Sequence, residues 1–140
     1  MIFMGVFIDT GMIVAIYNER DSLRQKAVEL MSQITSGVYG SVYISDYVID
    51  EAITLLFART GNISLSKDLA NRLFSSKSME LLYVSESIFK KSGGQYLTQT
   101  GTLSFTDCTI VELMKQNNIT YIATFDAGFK SVAGIKVIGI

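Results

Sequence analysis

Val6-Phe7-Ile8-Asp9 decides how this 140-residue chain is read: an apolar run without polar alternation, closed by an acid. A strand apolar on both sides must be covered on both faces, as the strands of a parallel sheet are. Comparable runs follow at Val42 to Ile44, Leu81 to Val84, Tyr121 to Ala123 and Lys136 to Ile138. Between them lie segments of helical length and period: Leu23 to Ile34, Asp46 to Arg59, Leu65 to Phe74, Ser87 to Leu97 and Phe105 to Gln116. Strands alternating with helices predict an α/β sandwich around a parallel sheet. No linker, low-complexity run or proline divides the sequence, so it reads as a single domain over residues 1–140.

Composition narrows the chemistry. A chain of this length buries roughly two-thirds of its unfolded surface and needs no staples. With 49% apolar and 18% charged residues and a mean hydropathy of +0.34, it has more apolar sequence than one small core needs. That surplus predicts a homodimer, using the helices from Leu65 to Phe74 and from Leu23 to Ile34. The absence of His and the single Cys exclude a Ser-His-Asp triad, a Cys-His dyad and the usual structural zinc sites. Carboxylates, hydroxyls and lysines remain. A net charge of −1 and a pI near 5.3 offer no broad basic surface, so a polyanionic substrate would need bound cations. The apolar stretch Ile2 to Ile8 is too short for a membrane span or a signal sequence, which makes a reducing cytoplasm the expected setting.

Parallel topology sorts the acids. Strands end and crossover helices begin at one edge of such a sheet, where these folds place their sites. Asp9 closes the first strand and Asp126 follows Tyr121-Ile122-Ala123-Thr124-Phe125, so both belong at that edge, as ordinary strand-end caps or as something more. Asp107 follows Ser104 by three residues, the spacing of a capping box, yet falls between Val111 and Met114 on an apolar helix face. Glu51 stands apart from the polar stripe Asp46, Asp50 and Thr54, near Val48 and Leu55, with Asp50 as its competitor. Like charges 4 Å apart cost about 4 kcal/mol per pair at an effective dielectric near 20. A divalent cation removes that cost, and an all-oxygen donor set selects hard Mg²⁺ or Mn²⁺. Such a site suits phosphodiester hydrolysis.

These residues resemble the PIN-domain family, the metal-dependent nuclease fold that includes the VapC-type toxins of toxin–antitoxin pairs. Phe7-Ile8-Asp9-Thr10 is similar to the family's first-strand acid motif, Ser45 to Glu51 to its Glu-bearing helix, and Ser104-Phe105-Thr106-Asp107 to its third-acid segment. Thr124-Phe125-Asp126-Ala127-Gly128-Phe129 resembles the closing T-x-D-x-x-F pattern, the most specific of the four. The resemblance implies a three-layer α/β/α fold around a short parallel sheet and ribonuclease activity leaving 5′-phosphate and 3′-hydroxyl ends. It also implies an RNA substrate, a small antitoxin partner, and an acidic Mg²⁺ or Mn²⁺ pocket built from Asp9, Glu51, Asp107 and Asp126. Thr10 and Thr124 are the nearby hydroxyls for substrate or for supporting the acids. Gly11 stands where members often carry a hydroxyl or amide residue, and Cys108 replaces the usual Ala after the third acid and reads as a small core residue.

Substrate contacts are the faintest part of the pattern. Lys90-Lys91-Ser92-Gly93-Gly94 reads as a solvated helix end before a flexible basic segment touching phosphates, and Tyr47 and Tyr96, at helical spacing, as core aromatics before base-stacking ones. A receiver domain wants an acid pair after the first strand and a Lys after the last. A haloacid-dehalogenase-like phosphatase wants a second Asp where Gly11 stands. Neither fits. The rival is a non-catalytic PIN-like module that binds RNA or protein, and metal-stimulated cleavage separates the two.

Overall fold

The computed structural model describes residues 4–140, and all its strands run parallel in one five-stranded sheet. Along the chain come β1 (Gly5–Ile8), α1 (Thr10–Tyr17), α2 (Arg24–Thr35), β2 (Ser41–Ser45), α3 (Asp46–Thr60) and α4 (Ile63–Ser75). There follow β3 (Met79–Leu82), α5 (Glu86–Thr98), α6 (Phe105–Gln116), β4 (Tyr121–Ala123), a 3₁₀ turn (Ala127–Ser131) and β5 (Lys136–Ile138). Ile2 and Phe3, part of the apolar N-terminal run, lie outside the described residues. Among those described, no helix is long and apolar enough to cross a membrane.

Strand order is β3-β2-β1-β4-β5. The chain moves outward from β1 to β2 and β3, then returns through α5 and α6 to β4 on the other side of β1. Right-handed crossovers put helices of opposite travel on opposite faces. Hence α1 to α4 cover one face and α5 and α6 the other, the expected three-layer sandwich. Val6, Phe7 and Ile8 are fully buried, as a strand covered twice must be, and pair in register with Val42-Tyr43 on one side and Tyr121-Ile122-Ala123 on the other. The split between β1 and β4 is the topological switch point, the place where open α/β sheets bind ligands.

Two elements differ from the sequence expectation. Helix α1 has no counterpart there, because Met12, Ile13, Val14 and Ala15 are all buried and a helix packed on every side shows no amphipathic stripe. The third strand was expected at Leu81 to Val84 and lies at Met79–Leu82. Its ladder stops short because Asp46, in the first turn of α3, takes the Val84 N–H on Oδ1 at 3.0 Å, ending β3 and tying it to the carboxyl end of β2. Cys108 is fully buried among core residues, and burial raises its thiol pKa, so it packs as a small apolar group.

Candidate active site

Each acid is placed by a cap or a strand end. Asp9 follows β1, and its N–H continues the ladder to Ala123 O at 3.0 Å. It caps α1, accepting Thr10 N–H on Oδ1 at 2.8 Å, and accepts the Thr124 hydroxyl on Oδ2 at 2.7 Å. Thr124, fully buried past β4, also accepts the Asp126 N–H at 2.9 Å, so a single hydroxyl fixes two acids across the switch point. Asp126 is exposed and caps the 3₁₀ turn by accepting Gly128 N–H at 2.8 Å. Asp107 and Ser104 form a reciprocal capping box at the start of α6, Ser104 N–H donating to Asp107 Oδ2 at 2.9 Å and Asp107 N–H to Ser104 Oγ at 3.1 Å. Both readings of Asp107 hold together: it caps its helix, and it is 8% exposed on the apolar side.

A cavity of about 580 Å³ opens at this edge, lined by Asp9, Thr10, Gly11, Glu51, Leu55, Ser104, Asp107, Phe125, Asp126 and Ala127. It gathers the four predicted acids and Thr10; Thr124 stands behind, holding Asp9. Glu51 is half-buried in α3, whereas Asp50 is exposed and lies outside the lining. Leu55, one turn on from Glu51, and Phe125, between Thr124 and Asp126, are walls that the sequence reading left out although both flank residues it chose. Lys26 of α2 lies over the Phe125 ring, 5.8 Å from its centroid, at the rim. Gly11 leaves open space where a side chain would stand.

Electrostatics mark the cavity as a place for positive charge. Burial, with Asp107 and Glu51 adding repulsion, pushes the Asp9 carboxyl up to about 6 against the lowering effect of Thr124 and Thr10. Asp107 is raised as well, by burial first and then by Asp126 and Glu51. Among the described residues, none of the four acids shares a salt bridge with a protein cation. No three acid, His or Cys side chains among them draw together into a cage around one point. A hard, hydrated ion needs no such cage, since Mg²⁺ keeps several waters and uses one or two carboxylates with substrate phosphate. Thr10 fits the same picture: its Oγ1 is buried on the cavity wall without a hydrogen-bond partner, an orphan that a bound water or phosphate oxygen would satisfy. The donor set suits a hydrated divalent cation.

Another cavity, about 450 Å³, lies between α1, α2 and α4 at the opposite edge of the sheet, with Ile13, Ile16, Met31, Leu73 and Met79 in its wall and no acid. It has the larger apolar surface but none of the chemistry.

Solved structures with this architecture include Mycobacterium tuberculosis VapC20, described as a sarcin-ricin loop cleaving toxin, with a TM-score of 0.83 at 21% identity over 93% of this chain and 96% of that one. VapBC2 from Rickettsia felis, solved bound to a DNA fragment from their promoter, gives 0.71 at 13% identity over 96% and 98%. A toxin-antitoxin complex from Klebsiella pneumoniae gives 0.64 at 14% over 95% of each chain. No curated protein sequence matches the chain. At these identities the structural likeness speaks for the fold. The sequence itself matches the PIN domain family model over residues 6–135, a span that contains every acid of the cavity, and the chain therefore belongs to the PIN domain family.

Proposed function

We propose that the chain is a Mg²⁺- or Mn²⁺-dependent endoribonuclease that hydrolyses RNA phosphodiester bonds, the toxin of a toxin–antitoxin pair. The observation that carries this is the meeting of four carboxylates from distant segments on one cavity, with no salt bridge to a protein cation among the described residues. Asp9, Asp107 and Asp126 would hold the ion, directly or through water, with Glu51 as a further ligand or the group that orients the attacking water. A bound divalent ion supplies an ionised water near neutral pH and offsets charge on the phosphate oxygens. Thr124 keeps Asp9 and Asp126 at fixed separation, and the orphan Thr10 hydroxyl is available to a phosphate oxygen. Leu55 and Phe125 form the apolar part of the wall beside the acids.

Similarity to chains solved as toxin–antitoxin assemblies supports a small antitoxin as partner, and an RNA target and such a partner are met in the cytoplasm. Self-association belongs to the same reading: Leu23, which caps α2, and Val28 within it are exposed, as are Ile63 and Phe74 of α4, apolar groups suited to a second copy. Sedimentation at micromolar concentration should give the dimer mass, and a monomer removes that element. The central test is cleavage. RNA should be cut by the parent with Mn²⁺ or Mg²⁺ and not in EDTA, leaving 5′-phosphate ends. The ion alone should raise unfolding stability by about 2.7 kcal/mol at a hundred times its dissociation constant. If Asp107→Asn binds the ion as tightly as the parent, the ligand set is wrong; if the ion binds and no RNA is cut, the chain is a non-catalytic binding module.

A further inference from the structure

Beside the acid cavity, two exposed aromatic rings gather around a half-buried one, a cluster that neither the core nor the proposed chemistry accounts for. Phe105, the first residue of α6, adjoins Ser104, which lines the cavity. Its ring lies 5.3 Å from that of Phe89 and 6.2 Å from that of Tyr96, both on α5, at interplanar angles of 56° and 64°. Phe89 is 49% exposed and Tyr96 46%. Tyr96 is thus not the core aromatic that its helical spacing predicted.

The helix between these rings is open on one side only. Phe89, Gly93 and Tyr96 stand at positions i, i+4 and i+7 of α5, and Ser92 beside Gly93 is fully buried. Ser92 folds its hydroxyl back onto Ile88 O at 2.6 Å, and a Cβ added to Gly93 or to Gly94 would meet nothing within 4 Å. Glycine inside a helix costs about 1 kcal/mol relative to alanine. Neither glycine has a positive φ and neither avoids a clash, so the fold gives no reason for them. They leave room for a flat group to approach the helix between the rings. The slot is also held in register with the acids: the Gln99 side-chain amide donates to Leu103 O at 2.7 Å and accepts Leu103 N–H at 3.0 Å, closing the loop between α5 and α6.

We propose that Phe89, Tyr96 and Phe105, with Gly93 as the floor between them, form a stacking platform for an unpaired base of the RNA strand whose phosphate enters the acid cavity. This rests on the ribonuclease reading. Aromatic side chains stack on splayed bases of single-stranded RNA regardless of sequence. Charge favours a nucleic acid over a second copy of the chain here. Lys90 and Lys91 directly follow Phe89 and are exposed, Lys90 in a solvent-facing pair with Glu86 at 2.9 Å. A protein partner would have to bury or evade them, whereas a strand meets them with phosphates.

The test uses the full chain and two fluorescein-labelled probes, an oligouridylate and an abasic ribose-phosphate oligomer of the same length, with binding read by anisotropy in Ca²⁺, which supplies a divalent cation in place of Mg²⁺ or Mn²⁺. Tyr96→Leu keeps apolar bulk but removes the π face, and Gly93→Leu fills the slot with a good helix former and leaves the rings in place. Each should weaken oligouridylate binding roughly five- to 150-fold, the range for losing one base stack. Abasic binding should stay unchanged, and Tyr96→Phe should bind like the parent. The platform is overturned if Tyr96→Leu and Gly93→Leu bind both probes as the parent does. It is equally overturned if Tyr96→Leu turns a sedimenting dimer into a monomer, since the face then belongs to a second copy. A parent that cuts RNA with Mn²⁺ while these variants bind normally loses the platform and keeps the nuclease. One that binds with base dependence yet never cuts loses the nuclease and keeps the platform.

Discussion

Asp9→Asn should abolish metal-dependent RNA cleavage and at the same time make the metal-free chain more stable at neutral pH. The carboxyl is buried, 7% exposed, and its pKa stands at about 6 against an ordinary 3.8. An acid whose folded pKa is raised binds its proton more tightly in the folded chain than in the unfolded one. Its effect is therefore absent below pH ~4, and stability falls as pH climbs through about 6. At 1.36 kcal/mol per unit the full cost is about 3 kcal/mol. Asparagine cannot ionise, so the variant escapes that cost. It does lose one hydrogen bond, because its amide cannot accept from both the Thr10 N–H and the Thr124 hydroxyl, a loss of about 1 kcal/mol. The metal-free variant should gain about 2 kcal/mol over the parent at pH 7.5, and near pH 4, where only the lost hydrogen bond counts, it should stand about 1 kcal/mol below the parent. On the proposed ligand set, saturating Mn²⁺ should reverse the order, because only the parent would then keep every carboxylate. Urea unfolding across this pH range measures it. A parent whose stability is flat between pH 4.5 and 7, or a variant less stable at pH 7.5, would contradict the account of Asp9 as a charge held ready for a cation.

The same residue shows why much of the site could be read from the sequence. Its place follows from a strand pattern and a topology, since whatever ends β1 must lie at the carboxyl edge, and the same holds for Thr124 and Asp126 after β4. Asp107 was legible because helical phase put an acid on an apolar face. Packing between elements without a shared pattern was not legible. Helix α1 is apolar on all sides, so its buried sequence Met12 to Ala15 has no period to detect. The two-residue shift of β3 depends on a bond from Val84 N–H to Asp46, 38 residues away, and no local propensity encodes it. The ring cluster of Phe89, Tyr96 and Phe105 depends on how α5 meets α6, and from sequence alone Tyr96 has the spacing of a core residue.

Glu51 and Asp50 offer the sharpest discrimination, because they are neighbours of like charge with opposite surroundings. Residues adjacent on a helix point about 100° apart, so one of the two faces the cavity and the other meets solvent. Glu51 is half-buried on the cavity wall, close enough to Asp9 and Asp107 to raise both of their carboxyl pKa values, and Asp50 is exposed outside it. Asp46, the other acid at the start of α3, is committed elsewhere: its Oδ1 accepts from both Tyr47 N–H and Val84 N–H at 3.0 Å. We therefore expect Glu51→Gln to keep the fold and to cut RNA cleavage at least about a hundredfold, the scale for losing a positioned acid or base. The loss should fall on kcat, since a metal ligand or water-orienting group acts on the reacting centre more than on the bound strand. Asp50→Asn should leave cleavage within a few-fold of the parent, and stability within about 0.5 kcal/mol, as exposed substitutions do. Both measurements need only purified variants, their unfolding curves and single-turnover cleavage with Mn²⁺. The opposite ranking, with both variants folded, would turn α3 about its axis and move the acidic wall to the face that carries Asp46 and Asp50.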